Sequence, residues 1–158
     1  MLPVAHPPVQ EVGTTITRNT VVNHYVILDI IGKNGINTVF AAHDASLDRN
    51  IALKIVRSEH TDRASQARLV REAKAMARVQ HPAIVTVHDV GSIGSRVFIA
   101  MELVRGTTLG GWLDAAPRGW RDIVRVFVEA GRGLAAAHAA GVIHRDFSAP
   151  GKPTWCYE

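Results

Sequence analysis

The chain has a single cysteine, Cys156, among its 158 residues. An internal disulfide is therefore excluded, and no Cys/His cluster has the spacing of a zinc site. Aromatic residues make up only 6%. No aromatic stacking platform lies beside a basic stripe, so nucleic acid is not an expected partner. No apolar run approaches the ~18 residues needed to cross a bilayer. The first ten residues, M-L-P-V-A-H-P-P-V-Q, hold three prolines and no basic-then-apolar signal pattern. These absences predict a soluble, cytoplasmic protein with no membrane segment in this chain.

What is present is the composition of a globular protein. Hydrophobic residues reach 47% and charged residues 20%, which is too apolar for a disordered chain. The net charge of +4 comes from 18 Lys+Arg against 14 Asp+Glu. The densest basic stretch, Arg63 to Arg78, reads as the solvated face of a helix. A chain of this length holds one ordinary domain, or one small lobe and part of a second.

Residues 1–22 are rich in Pro and Thr, lack a sustained period, and read as a flexible lead-in. Tyr25–Ile31 and Thr38–His43 are strand candidates joined across a Gly/Asn-rich loop, Gly32–Asn37. Ile51–Val56 follows after a polar turn, so three short-linked strands predict an antiparallel meander. Over 62–80 the period becomes helical, with Leu69, Met76 and Val79 on one stripe and Ala73 beside it. His81-Pro82 stops that helix. Ala83–Val90 and Arg96–Leu103 are two further strands. A short helix over Gly106–Ala116 and a long one over Asp122–Ala140 come next. Ile123, Phe127, Ala130, Leu134 and Ala137 form the long helix's apolar side, and Gly141 closes it. The last eleven residues have no period.

Two charges fall where the pattern expects cover. In I-A-L-K-I-V, alternation puts Ile51, Leu53 and Ile55 on one face and Ala52, Lys54 and Val56 on the other. An ammonium on a covered face is costly unless an anion meets it. Glu72 lies three residues after Leu69 and four before Met76, within the apolar stripe. Pairing Lys54 with Glu72 resolves both, since contact at ~4 Å and an effective dielectric near 20 gives roughly 4 kcal/mol of attraction. Such a pair can hold an ammonium where a phosphate arrives. The Gly32–Asn37 loop tolerates positive φ and can point N–H groups inward. It joins strand to strand, unlike a Rossmann turn, and no G-x-x-x-x-G-K-[ST] occurs.

The order of motifs resembles protein kinases of the bacterial, eukaryotic-like serine/threonine type. I-G-K-N-G-I-N-T-V-F resembles the glycine-rich loop, and I-A-L-K the strand bearing the ATP-contacting lysine. R-E-A-K-A-M-A-R-V-Q-H-P-A-I-V resembles the helix with its paired glutamate. F-I-A-M-E-L-V-R-G resembles the fifth strand and hinge, and V-I-H-R-D-F the entrance to the catalytic loop. The match runs from about Tyr25 to Phe147.

The resemblance implies an α+β fold: a kinase-like small lobe of five antiparallel strands and one helix (23–104), then the hinge and first helices of an incomplete helical large lobe (105–147). A divergent tail (148–158) would follow. It implies ATP as ligand, bound along Ile31, Gly32, Lys33, Asn34, Gly35, Asn37, Val39, Ala52, Lys54, Met101, Glu102, Leu103 and Val104. Ile31, Val39 and Ala52 would sandwich the adenine, Met101 would back the pocket, and backbone groups of Glu102 and Val104 or Leu103 would read its edge. Lys54 would contact the α/β-phosphates and pair with Glu72. Asp146 would accept or orient the proton of a protein substrate's hydroxyl, with His144 and Arg145 as supports.

The pattern also departs from the family. Asn34 and Asn37 stand where G-x-G-x-x-G has glycines, which is expected to weaken nucleotide contact by crowding. After H-R-D, Ser148 and Gly151 replace the family's lysine and metal-binding asparagine, and no D-F-G follows. Mg²⁺, implied by the family, thus lacks its usual ligands. A truncated kinase domain, inactive on its own, is the first expectation; a non-catalytic nucleotide- or protein-binding module is the alternative. The uncovered apolar face of the long helix is expected to favour self-association.

Overall fold

The computed structural model describes residues 16–34, 37–56, 63–94, 96–143 and 156–157. The expectations placed on residues 1–15, Gly35, His144, Arg145, Asp146, Phe147, Ser148 and Gly151 lie outside the described residues. A curled antiparallel sheet is built from β1 (Val21–Val22), β2 (Tyr25–Asn34), β3 (Asn37–Asp44), β4 (Arg49–Val56), β5 (Val87–Ile93) and β6 (Arg96–Glu102). Its spatial order is β1-β2-β3-β4-β6-β5, so the predicted meander is β2-β3-β4. Helix α1 (Arg63–Met76) leaves β4 and lies across β5 and β6. This is the sheet-and-helix arrangement that the resemblance implies. Helices α2 (Leu109–Ala115) and α3 (Trp120–Ala139) follow it. No described helix is long and apolar enough to cross a membrane.

The alternation read along β4 sets the core. Ile51, Leu53 and Ile55 are buried together with Tyr25, Ile27, Phe40, Ala42, Phe98 and Ala100. Their partners across the ladder match face for face: Leu53 lies between Phe40 and Ala100, and Ile55 is opposite Phe98. The hydroxyl of buried Tyr25 donates to Asp89 Oδ2 at 3.2 Å. That bond joins β2 to β5, strands near opposite ends of the sheet order, and so closes the curl. Burial pushes the Tyr25 phenol well above its ordinary pKa, and the Asp89 charge adds to the shift.

Several sequence expectations are corrected. Residues 16–22 belong to the domain: Ile16 packs on the core and Val22 is buried in a strand paired with Tyr25. Asn19 and Asn23 adopt positive φ, 65° and 58°, and this permits the two tight turns involved. Residues 83–86 are a connector, with Ala83 N donating to His81 Nδ1 at 3.0 Å, and the strand starts only at Val87. On α3, Phe127 is exposed, as are Trp120, Val124 and Val128, in keeping with the expected lack of cover over the helix's apolar side. The buried contact of α3 is instead Gly133, where an added Cβ would meet the Ala83 carbonyl oxygen at 2.8 Å. Gly141, at φ +76°, follows the helix as expected. In the tail, Cys156–Tyr157 pairs with Thr107–Thr108, whose unpaired edge can accept a strand.

Asp44 is the buried acid of the sheet, 2% exposed at the β3–β4 turn. It accepts from Ser46 Oγ at 2.6 Å, Ser46 N at 3.1 Å and Leu47 N at 3.3 Å. Arg49 Nε and His24 Nε2 each lie 3.5 Å from it. Burial alone would raise its pKa, but the Ser46 and Leu47 donors and the His24 charge outweigh it and hold the carboxyl below its usual value. Its stabilisation is therefore present above the ordinary carboxylate pKa and is lost as pH falls through the lower, folded value. Asp44→Asn is expected to cost about 2–3 kcal/mol at neutral pH, with the gap from wild type closing in urea titrations carried below the ordinary carboxylate range. For α3, Gly133→Ala is expected to lower stability by about 1–2 kcal/mol, because the clash with Ala83 exceeds the helix-propensity gain. Gly131→Ala, whose added Cβ meets nothing within 4 Å, should raise it, and thermal melts compare the two.

Candidate functional site

The face of the sheet opposite the core carries the candidate residues in register. Gly32, Val39, Lys54 and Ile99 form one row across β2, β3, β4 and β6. Ala41, Ala52 and Met101 form the next row. Asn37, Val56 and Val97 flank Lys54's row on its other side. Ala52 is buried while Val39, Lys54 and Met101 are half-buried, so the face forms a shallow apolar ceiling with one cation in it. At Gly32 an added Cβ would lie 3.8 Å from Val39 Cβ, an ordinary contact, so packing alone does not require glycine there. Ile31 is 51% exposed, at the irregularity where β2 steps from the Ile30–Phe40 pair to the Gly32–Val39 pair. Lys33 is exposed opposite Thr38, and Asn34 pairs in backbone register with Asn37.

The end of β6 supplies the edge of the site. Glu102 N donates to Thr86 O at 2.9 Å, and Thr86 N donates to Glu102 Oε2 at 3.4 Å. Beyond Glu102 the chain is irregular, and Leu103 and Val104 enter no backbone hydrogen bond among the described residues. Their donors and acceptors are open to a flat heterocycle lying under Ala52. A small ceiling residue, open backbone groups at the strand's end and a nearby ammonium fit a nucleotide. For a divalent cation the fit is poorer: no group of three or more His, Cys, Asp or Glu is gathered among the described residues.

Helix α1 packs against β5 and β6, and its Ala73 is buried, as is Val97 of β6. The predicted Lys54–Glu72 pair is not formed. No ion pair among the described residues joins them, and Glu72 Oε1 lies 3.8 Å from Arg68 Nε, one turn back along the helix. The Glu72 side chain is 45% exposed, not enclosed as its place in the stripe suggested. The physical reason is local competition, because an i,i+4 partner is always within reach whereas Lys54 requires the helix to close on the sheet. That spacing of Arg68 and Glu72 is legible in the sequence. The missed feature at the loop is the surroundings of Asn37, whose carboxamide oxygen is buried without a hydrogen-bond donor. Nothing in composition or period signals it.

Glu102 and Leu103 also line an open hollow of about 600 Å³ with His43, Arg49, His88 and Arg105. Burial, with the Arg49 charge, holds the His88 imidazole below its ordinary pKa. Acids and bases are mixed around this hollow, so its lining selects no single class of charged ligand.

The protein kinase domain family matches this chain over residues 25–149. The chain is 38% identical over 126 residues to the serine/threonine-protein kinase PknL of Mycobacterium tuberculosis, which covers 78% of this chain and 32% of that protein. It is also 38% identical over 127 residues to the probable serine/threonine-protein kinase PknB of Lactococcus lactis, with 78% and 20% covered. The chain thus spans about a fifth to a third of the length of these relatives. The solved Mycobacterium tuberculosis PknI kinase domain is similar in fold. Its TM-score is 0.73 at 24% identity, over 85% of this chain and 56% of that one.

The position of Glu72 generates a test. Arg68→Ala removes an exposed i,i+4 pair of about 0.3–0.5 kcal/mol, which biases Glu72 toward Lys54. Nucleotide affinity, read by titration with a fluorescent analogue, is expected to rise about twofold. The same change in a Glu72→Gln background should produce no rise.

Proposed function

Because the chain belongs to the protein kinase domain family, matched over residues 25–149, we propose that it carries the nucleotide-gripping part of a serine/threonine protein kinase. In this reading residues 23–104 form the small lobe and 105–147 the hinge and the start of the large lobe. Adenine lies against Val39 and Ala52, with Met101 at the back, and the open backbone groups of Leu103 and Val104 take its edge. Lys54 meets the phosphates. The observation that carries the reading is the placement of Lys54 and Ala52 in adjacent rows of one face, with an unpaired chain edge beyond Met101.

ATP, when bound, would supply the phosphoryl group for transfer to a protein Ser or Thr hydroxyl. Asp146 would accept or orient the proton of that hydroxyl. Mg²⁺ would be held mainly by the phosphates, since Ser148 and Gly151 stand where the family has its lysine and metal-binding asparagine. The chain by itself is therefore proposed to bind nucleotide without transferring phosphate. The contact between Glu72 and Arg68 favours this non-catalytic reading, because a lysine not clamped by its glutamate is poorly fixed for transfer.

The test measures ATP binding by calorimetry and γ-phosphate transfer from labelled ATP with Mg²⁺, for wild type and Lys54→Ala. Binding weakened about tenfold or more by Lys54→Ala, with transfer by neither protein, is the expected result. Transfer by the wild type that is lost in Lys54→Ala would show a complete catalytic site and overturn the non-catalytic reading. Equal binding by both would remove Lys54 from the site.

A further inference from the structure

Helix α3 meets the rest of the domain at Gly133, against Ala83. Val124 precedes Gly133 by ~2.5 turns and so lies on the opposite side of the helix. That side is a stripe of exposed residues: Trp120, Val124, Phe127, Val128, Gly131 and Ala135. The stripe is uneven along its length. Its first half is bulky and its second half small, and a Cβ added at Gly131 would meet nothing within 4 Å. One flank carries charges of both signs. Arg125 donates to Asp122 at 3.0 Å, and Arg132 donates to Glu129. Because each of these arginines is matched by an acid about one turn before it, the flank is not a basic strip suited to anionic lipid. Its charges fit a surface that is mixed in the same way, and its bulky half fits one with a small half beside it.

We propose that this face pairs with the same face of a second copy of the chain, the two α3 helices running antiparallel about a twofold axis at Phe127. In that arrangement a residue a given number of places before Phe127 meets the residue as many places after it. Arg125 then faces Glu129 of the second copy, and Asp122 faces its Arg132. Val124 comes level with Ala130, beside Gly131, and Trp120 with Leu134, beside Ala135, so the bulky half of each stripe covers the small half of the other. A parallel pairing would set Arg125 against Arg125 and Trp120 against Trp120, and leave a gap at Gly131. The contact is self-complementary, as a twofold interface must be. It is one helix long, ~30 Å, and smaller than the ~800 Å² per partner of a standard interface, so the dimer is reversible. No residue of the candidate nucleotide site takes part, and the inference does not depend on that site.

The experiment is sedimentation velocity on the full chain over a wide range of concentration. Wild type is expected to move reversibly between monomer and dimer. Gly131→Gln puts a large polar side chain where the monomer has open space and the dimer has none, and is expected to weaken association by about tenfold or more. Arg125→Glu alone and Glu129→Arg alone each bring like charges together across the axis, and each is expected to weaken it about fivefold. The double variant Arg125→Glu/Glu129→Arg should restore wild-type association, which a merely structural loss would not do. Should Gly131→Gln fail to fold, the charge exchange still decides. A wild type that stays monomeric throughout would overturn the proposal. Dimers unaffected by Gly131→Gln would place the contact elsewhere and also overturn it. Single charge variants without rescue in the double would rule out the antiparallel register. Binding of a monomeric chain to phosphatidylserine–phosphatidylcholine vesicles would make the stripe a lipid-facing surface, against the second copy assigned here.

Discussion

An ammonium on the inner strand of a sheet constrains what can be packed around it. β4 is hydrogen-bonded on both sides, to β3 and β6, and its core-facing residues are fully covered. Lys54 cannot turn to that face without reversing the alternation that buries Ile51, Leu53 and Ile55. The other face must therefore stay partly open or supply an anion, since closing apolar cover over an unpaired charge would cost several kcal/mol. The structure leaves it partly open. Lys54 is half-buried, between Val39 and Ile99. The cleft is thus a consequence of the strand's pattern as well as its use.

What could be read from the residues follows the same division. The core face of β4 was legible because period-two alternation and burial impose the same answer at each position. The end of α3 was legible because a glycine after an apolar helical run has one common use. Val21–Val22 was not, because two residues carry no period, and their strand depends on asparagines at positive φ and on Ile16 finding the core. Gly133 was not, because the inner face of α3 is set by a small residue at a close crossing, and hydrophobic periodicity looks for large ones.

The candidate site divides differently. Register brings Val39, Ala52, Lys54 and Met101 together as the motifs implied, since ladder pairing is collective and hard to shift. The position of Glu72 is not collective. A local partner, Arg68, competes with a distant one, Lys54, and an exposed ion pair of either kind is worth little. A sequence can nominate both partners without ranking them. Asn37 lies outside both cases, because an orphaned oxygen is visible only once every donor around it has been placed.

The connector from His81 to Thr86 ties these parts to one another. It leaves the end of α1, with His81 Nδ1 accepting from Ala83 N. At Ala83 it seats Gly133 of α3, and at Thr86 it bonds Glu102 in both directions, backbone to backbone and backbone to carboxylate. Six residues therefore fix the helix that carries Glu72, the strand end that offers Leu103 and Val104, and the first long helix beyond the sheet. Movement of α1 toward Lys54 must either hinge before His81 or shift these other contacts with it. Residues 77–79, between the end of α1 and His81, donate backbone hydrogen bonds to Ala73, Ala75 and Met76, so the last turn of the helix runs on toward the connector. The placement of Glu72 is thus tied to the strand end and to α3 through one short connector.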